Sequence, residues 1–343
     1  MDLKRIFLKD ACPTSIGGQA IMEGIMMRGP KRTAIAIRLP NGKIHMKTQP
    51  TPQGGKWGKI PMVRGVINFI ASLIYGTKIL MYSADVLEAN YPEEYQKAWK
   101  ILMVLSVVLA LVLSISIFMI LPTVIVGWMS KLTENIFALN LIEGIVRILI
   151  FVAYIALISK LGDIKTVFQY HGAEHKTIHC FENGLELTPK NAQTFYTLHP
   201  RCGTSFLMFV MVVAILVHVF MGWPNVWLRV LSRVLVLPVI AGISYELLRW
   251  AGRSDSLIVE ILSLPGLYLQ KLTTKEPNDA QLEVAIASVK AVLNDGDDIP
   301  YFEGICDREG RPVEGEVEYY DPEVSDGPIK KEPSESPDKA DVK

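Results

Sequence analysis

The sequence lacks a charge imbalance: 35 Lys and Arg stand against 35 Asp and Glu. It has no phosphate-binding glycine motif and no nucleic-acid module, so nucleic acid is not an expected partner. Its four cysteines, Cys12, Cys180, Cys202 and Cys306, form no C-x-x-C pair, which argues against a disulfide framework. The opening stretch MDLKRIFLKDACPTS has an apolar run too short for a signal-peptide core, so no cleaved leader is expected. No internal repeat is visible, which counts against a transporter built from inverted halves. Histidine is scarce, with six in the chain, and four of the six fall between residues 171 and 199.

What the sequence has in quantity is apolar residues, and they are bunched. Four runs, 99–129, 140–159, 204–223 and 226–250, approach or exceed the roughly 20 residues needed to cross a bilayer. Glu143 and Arg147 lie one helical turn apart in the second run, and the fourth contains Arg229, Arg233, Pro238 and Glu246. A buried soluble helix would account for a single run of this kind, but the length and purity of the first and third point to a membrane. Residues 1–65 carry twelve basic against three acidic side chains. The positive-inside rule therefore places the N-terminus, the 160–203 loop and the C-terminus in the cytoplasm, with four spans in the cell membrane. The basic N-terminal region would face anionic lipids.

The expected fold is mainly α: a polytopic membrane protein with about four transmembrane helices, interfacial helices and a small N-terminal β-hairpin region. Residues 1–60 form the cytoplasmic β-containing part, because TAIAIRLPNGKIHMKTQ (33–49) alternates on both sides of a PNG turn. Residues 61–98 read as an interfacial or re-entrant helix region, since Arg64, Asn68, Lys78 and Asp85 interrupt an apolar pattern of helical period. Residues 99–275 form the transmembrane region, with SLIVEILSLPGLYLQKL (256–272) interfacial or re-entrant. Residues 276–309 hold a short amphipathic helix. From 310 to 343 the chain is rich in Pro, Glu, Asp, Lys and Ser and is expected to be disordered.

The loop between the second and third spans contains YHGAEHKTIHCFENG (170–184). His171 and His175 share one helical face a turn apart, a geometry that lets two imidazoles bind one zinc or similar divalent ion. Glu174 completes an H-x-x-E-H pattern. In that arrangement the ion acidifies a water and the neighbouring carboxylate takes its proton. A catalytic ion needs a third protein ligand. Glu246, near the cytoplasmic end of the fourth span, is favoured by a small margin, with His199 as its alternative or as a supporting partner. His179 continues the stripe, but ordinary packing fits it better. Cys202 could supply a thiolate, although a buried inert thiol is the commoner fate. The opposing interpretation of the whole stretch is a solvated polar helix face.

Five segments together, GGQAIMEGIMMRGP (17–30), YHGAEHKTIHCFENG (170–184), HPRCGTSFL (199–207), ISYELLRW (243–250) and LTTKEPNDAQLEVAI (272–286), resemble the bacterial YqhQ-like family over nearly all of residues 12–295. These are multi-pass membrane proteins of unknown function, often described as predicted metal-dependent enzymes. The resemblance implies the same membrane topology and directs attention to Glu23, whose flanking glycine permits close backbone approach to a site, a paired structural charge being the equal alternative. Three functions compete: a membrane-surface metal-dependent hydrolase with Glu174 as general base, a non-catalytic scaffold or regulator with a structural metal, and a transporter using the ionisable residues within the spans.

Overall fold

The computed structural model describes Cys12 and residues 14–52, 60–89, 105–129, 135–222, 226–251, 257–293 and 300–320. Four strands come from the N-terminal region: β1 (Gly17–Ile21), β2 (Gly24–Arg28), β3 (Arg32–Arg38) and β4 (Ile44–Pro50). The expected PNG turn joins the last two. Gly42 adopts φ +82°, which a side chain would strain, and Asn41 accepts a hydrogen bond from the Lys43 amide.

The hairpin is the middle of a larger structure. After nine helices among the described residues the chain returns with β5 (Tyr301–Cys306) and β6 (Pro312–Tyr320), giving one six-stranded antiparallel sheet in the order β1-β2-β3-β4-β5-β6. The expectation of disorder from 310 is therefore corrected for 312–320. These residues form a strand at the sheet edge with Glu314, Glu316 and Glu318 exposed, so unpaired backbone is protected by charge. Residues 321–343 lie outside the described residues.

The helices are α1 (Val63–Glu88), α2 (Leu105–Met129, with a π-turn at Ser116–Ile120), α3 (Ile136–Ile158), α4 (Gly162–Glu182), α5 (Pro189–Gln193), α6 (Gly203–Val219), α7 (Val226–Ala251), α8 (Leu257–Thr273) and α9 (Asp279–Leu293). Strand β3 explains how the sheet is covered on both faces. Its alternation of alanine and isoleucine turns Ala34 and Ala36 toward α9 and Ile35 and Ile37 toward α1. The alanines let α9 pack close, and Ser288 donates to the Ala34 carbonyl at 3.1 Å. Ile79 of α1 closes the opposite face.

Among the described residues four helical segments are long and apolar enough to cross a membrane: Val63–Glu88, Leu105–Met129, Ile136–Ile158 and Leu231–Trp250. The protein is a membrane protein, but the set differs from the expected one. Segment 61–89 contains one 26-residue helix, Val63–Glu88, that meets the same length and composition, but three crossings would put β1 and α4 on opposite faces of a membrane, whereas the Gly18 amide of β1 donates to Glu174 of α4 at 2.9 Å. Two of the four polar groups interrupting α1 are satisfied by α7: Arg64 pairs with Glu246, and Asn68 donates to the Tyr245 hydroxyl. Gly65 and Gly242 allow this close crossing, since a Cβ on Gly65 would lie 2.9 Å from the Gly242 Cα. The expected span at 204–223 is instead the 17-residue α6. At 1.5 Å per residue it reaches about 25 Å, and Asn140 near the start of α3 donates to the Met221 carbonyl just past its end at 2.8 Å, so it runs antiparallel along α3. It packs against α3, α7 and α8.

Candidate metal centre

Helix α4 is anomalous: its sequence is polar, yet Tyr170 and ten of the residues from Gly172 to Glu182 are buried. Buried polar side chains must find partners, and here the partners explain the fold around the site. The helix starts with Asp163 near the positive end of its dipole. It ends at Asn183 and Gly184, where Gly184 takes φ +67° and the Leu185 amide donates back to the Cys180 carbonyl. His171, His175, His179 and Glu182 form one stripe along it.

Two backbone segments meet this stripe. The end of α8, leading into the α8–α9 linker, brings the Thr273 carbonyl to His171, whose Nδ1–H donates to it at 2.8 Å. The α5–α6 loop brings the Thr197 carbonyl to His175 Nδ1–H at 2.5 Å and the Leu198 carbonyl to His179 Nε2–H at 2.9 Å. Gln270 clamps the loop in both directions, accepting from the His199 amide and donating to its carbonyl, each at 2.9 Å. Cys202 then caps α6, its sulfur accepting from the Thr204 amide at 3.4 Å.

These contacts fix the tautomers. A carbonyl only accepts, so neutral His171 and His175 carry their proton on Nδ1 and present a lone pair on Nε2. His171 Nε2 lies 3.2 Å from Cys202 Sγ. His175 Nε2 is buried with no protein partner. One ligand atom each from His171, His175 and Cys202 lie within 4.8 Å of one another. A tetrahedral zinc site with two nitrogens and one sulfur needs spacings of about 3.3–3.7 Å, from bond lengths near 2.0–2.3 Å. The donor chemistry, the oriented imidazoles and the orphaned nitrogen fit a divalent ion.

The Cys202 sulfur is poised as a thiolate that attracts a cation, the His171 proton or a metal ion in its place. Burial would raise the Cys202 thiol, but His175 and His171 hold its pKa well below the ordinary thiol value. Burial likewise opposes charge on His171, and the adjacent Cys202 outweighs it, raising that imidazole to about 9. Glu174 stands beside the group. Its Oε1 accepts from the Gly18 amide of β1 at 2.9 Å. A Cβ on Gly18 would sit 2.9 Å from Glu174 Cδ, so the glycine permits the approach. Burial pushes the Glu174 carboxyl up, against the pull of His171 and His175.

His179, Glu182 and His199 form a second group, also within 4.8 Å. Its hydrogen bonds suit ion binding less. His199 Nδ1 accepts from the Arg201 amide at 3.3 Å, which leaves the proton on Nε2, 3.5 Å from Glu182. Burial lowers His199 to about 3, so the ring is neutral and Arg201 is the counter-ion of Glu182, at 2.5 Å. Glu182 also accepts from the Thr14 amide at 2.9 Å. This group ties the loop and the segment before β1 to the end of α4.

The structure thus brings together His171, His175, Glu174 and Cys202, with His199 and His179 next in the row; the His175 and His199 ring centroids are 5.6 Å apart. It separates Glu246, the preferred third ligand from sequence. That carboxylate makes a forked bond to Arg64 and accepts from the Met62 amide at 3.1 Å, at the start of α1. Glu23 sits in the β1–β2 turn with φ +48°, its carbonyl bound by the Arg38 amide and its carboxyl raised by burial and by Asp163. It belongs to neither group. Glu182 was missed from sequence, although its position three residues after His179 puts it on the same stripe.

The family described as "Protein of unknown function (DUF1385)" matches residues 60–295, a range that contains both groups but not the strand bearing Gly18. The chain is 37% identical over 299 residues to a Bacillus subtilis (strain 168) protein named "Uncharacterized protein YqhQ"; the alignment covers 83% of this chain and 94% of the relative. No solved structure matches.

Proposed function

The chain belongs to the family of unknown function DUF1385, and we propose from its own residues that it is a metal-dependent hydrolase embedded in the membrane. Its ion, zinc, is held by His171, His175 and Cys202. One observation carries this reading: both imidazoles anchor Nδ1 on backbone carbonyls, and His171 turns Nε2 to the Cys202 sulfur while His175 keeps a buried Nε2 without a protein partner. An ion bound there supplies a Lewis acid that polarises a carbonyl or phosphoryl oxygen and acidifies water. Glu174 is the general base. The Gly18 amide orients its carboxylate, and burial favours its accepting a proton. Cys202 and the histidines fix the ion at the end of α6, so the substrate is met at the membrane surface. A lipid-linked or peptide substrate suits that position. The basic N-terminal region supports a cytoplasmic location for this surface.

The opposing reading is a scaffold or regulator with a structural ion. The 6% exposure of Glu174 favours it, because a carboxylate so enclosed could itself close a tetrahedral shell. Glu174→Gln separates the two. A hydrolase keeps stoichiometric metal, measured on protein purified without chelator, and fails to complement a deletion strain. A structural site either loses metal or complements fully. His171→Ala and Cys202→Ala should each remove most of the metal; wild-type levels in both would end the metal reading.

A further inference from the structure

Another orphaned imidazole lies inside the apolar bundle, toward the opposite end of α6 from Cys202. His218 is 9% exposed, and its Nε2 is buried with no hydrogen-bond partner. A polar atom placed so deep among apolar helices is costly until something answers it. The side chain lines a cavity that runs between α3 and α6. Glu143 of α3 lines the same cavity and is already engaged. It accepts from Arg147 one turn on at 2.9 Å, from Thr123 of α2 at 3.0 Å, and from both arms of the Arg233 guanidinium of α7.

The cavity has a volume of about 320 Å³. At Gly144 the two helices touch, since a Cβ there would lie 2.5 Å from Ile215 Cγ1. Away from His218 the walls are apolar, formed by Ile148 and Phe151 of α3 and by Leu207, Met211 and Ala214 of α6. The three α6 residues share one helical stripe with His218. From His218 to Leu207 the groove follows α6 for about 16 Å at 1.5 Å per residue. Leu207 itself is 38% exposed, on a surface that faces lipid when the bundle spans a bilayer.

We propose that this cavity binds a lipid chain that ends in a hydroxyl or carbonyl oxygen. The oxygen meets His218 Nε2, and the chain lies along α6 toward Leu207. Each part of the ligand answers one observation. The oxygen completes the buried nitrogen: a hydroxyl serves either tautomer of the ring, a carbonyl only the one with its proton on Nε2. The chain covers apolar walls that hold water poorly. Water would answer the nitrogen and leave the walls; a plain alkyl chain would cover the walls and leave the nitrogen. An apolar pocket with one directed polar group is the usual form of a small-molecule site. This volume encloses the oxygen and the first part of the chain, and the rest continues into the bilayer past Leu207. The site is independent of the hydrolase reading.

The test uses the full chain in phosphatidylcholine nanodiscs and a photoreactive long-chain alcohol, with the labelled peptides mapped by mass spectrometry. Label should fall on α3 and α6. Dodecanol should compete at concentrations about ten-fold or more below dodecane, the worth of one buried hydrogen bond. Dodecan-2-one assigns the oxygen: if it competes like dodecanol, Nε2 donates and a carbonyl suffices; if it competes like dodecane, the ligand is an alcohol. Ala214→Trp, which fills the groove and leaves His218 in place, should reduce labelling at least ten-fold. His218→Phe should shrink the advantage of dodecanol over dodecane to less than three-fold. Equal competition by dodecane and dodecanol on the unmodified protein would mean that water answers the nitrogen, and would overturn the proposal whatever the variants do. Label confined to other helices, or a folded Ala214→Trp protein labelled normally, would overturn it too.

Discussion

Gly172 lies beside the backbone that sets the orientation of His171, and adding one methyl group there tests the architecture of the site. A Cβ on Gly172 would sit 2.1 Å from the Lys275 carbonyl oxygen and 3.2 Å from Thr197 Cγ2. Reaching even a 3.0 Å contact requires helix α4 and the α8–α9 linker to separate by about 0.9 Å. Two hydrogen bonds span that gap: the Lys275 amide to the Phe168 carbonyl, and His171 Nδ1 to the Thr273 carbonyl, both 2.8 Å. Opened by this amount, neither remains a hydrogen bond. Each contributes about 1 kcal/mol net, and forcing a methyl against backbone costs about 1–3 kcal/mol. Alanine's better helix propensity returns up to about 1 kcal/mol. Gly172→Ala should therefore destabilise the protein by about 2–4 kcal/mol. It should also lower metal content, because His171 loses the bond that fixes its tautomer. Gly162→Ala is the control: it is in the same helix, with nothing within 4 Å of the added Cβ, and should change stability by no more than about 0.5 kcal/mol. Thermal unfolding in detergent, with metal measured on the same samples, reads both effects. If the two variants unfold alike and hold equal metal, the linker does not pack on α4 as described.

Glu246→Gln should leave metal content at the wild-type level while lowering the unfolding temperature, because its carboxylate ties Arg64 of α1 to α7; loss of metal would return Glu246 to the ligand set. Gly18→Ala places a Cβ 2.8 Å from the Met26 carbonyl and 2.9 Å from Glu174 Cδ, so it should abolish complementation with metal retained. Full complementation at normal protein levels would show that the Gly18 contact does not position the carboxylate. Reporters fused after Asn135 and after Cys180 should face opposite sides of the membrane, and the same side for both would remove the cytoplasmic site.

The long apolar helices were legible because run length needs no knowledge of partners. The β3–β4 hairpin was legible because Asn41-Gly42 specifies a turn locally. What escaped depends on distant pairing. Strand β6 reads PVEGEVEYY, and its acidic residues look like a solvated tail until β5 and β4 are placed beside it. Polar residues on α1 suggested an interface because the partners of Arg64 and Asn68, Glu246 and Tyr245, are more than 170 residues away. At the site, the spacing of His171, Glu174 and His175 is local and was visible. Cys202 joins them only through the α5–α6 loop, which is held by backbone carbonyls that carry no sequence signal. Glu246 was preferred from its depth at the end of a span. Depth fixes position along the membrane normal but not within its plane, and Arg64 takes that carboxylate instead.

The same carbonyl bonds bear on how an ion would act on stability. They orient the imidazoles, but they leave His175 Nε2 and His179 Nδ1 buried without a hydrogen-bond partner. Each such atom costs about 1–3 kcal/mol if nothing answers it. The cost falls where α4, the α5–α6 loop and the α8–α9 linker meet, the junction between the sheet and the membrane helices. A ligand that binds this junction only when it is folded stabilises the protein by RT ln(1 + [L]/Kd), about 4 kcal/mol at a thousand-fold excess over Kd. Chelation should therefore lower the unfolding temperature of the wild type, and added zinc should restore it. Cys202→Ala should begin low and respond to neither treatment, because its remaining imidazoles bind too weakly to populate the site. His179→Ala should still respond, since its ring is held by Leu198 and lies outside the ligand group. A wild-type midpoint indifferent to chelator and zinc would mean that water, and not an ion, completes the buried nitrogens, and the polar-helix interpretation of this stretch would then stand.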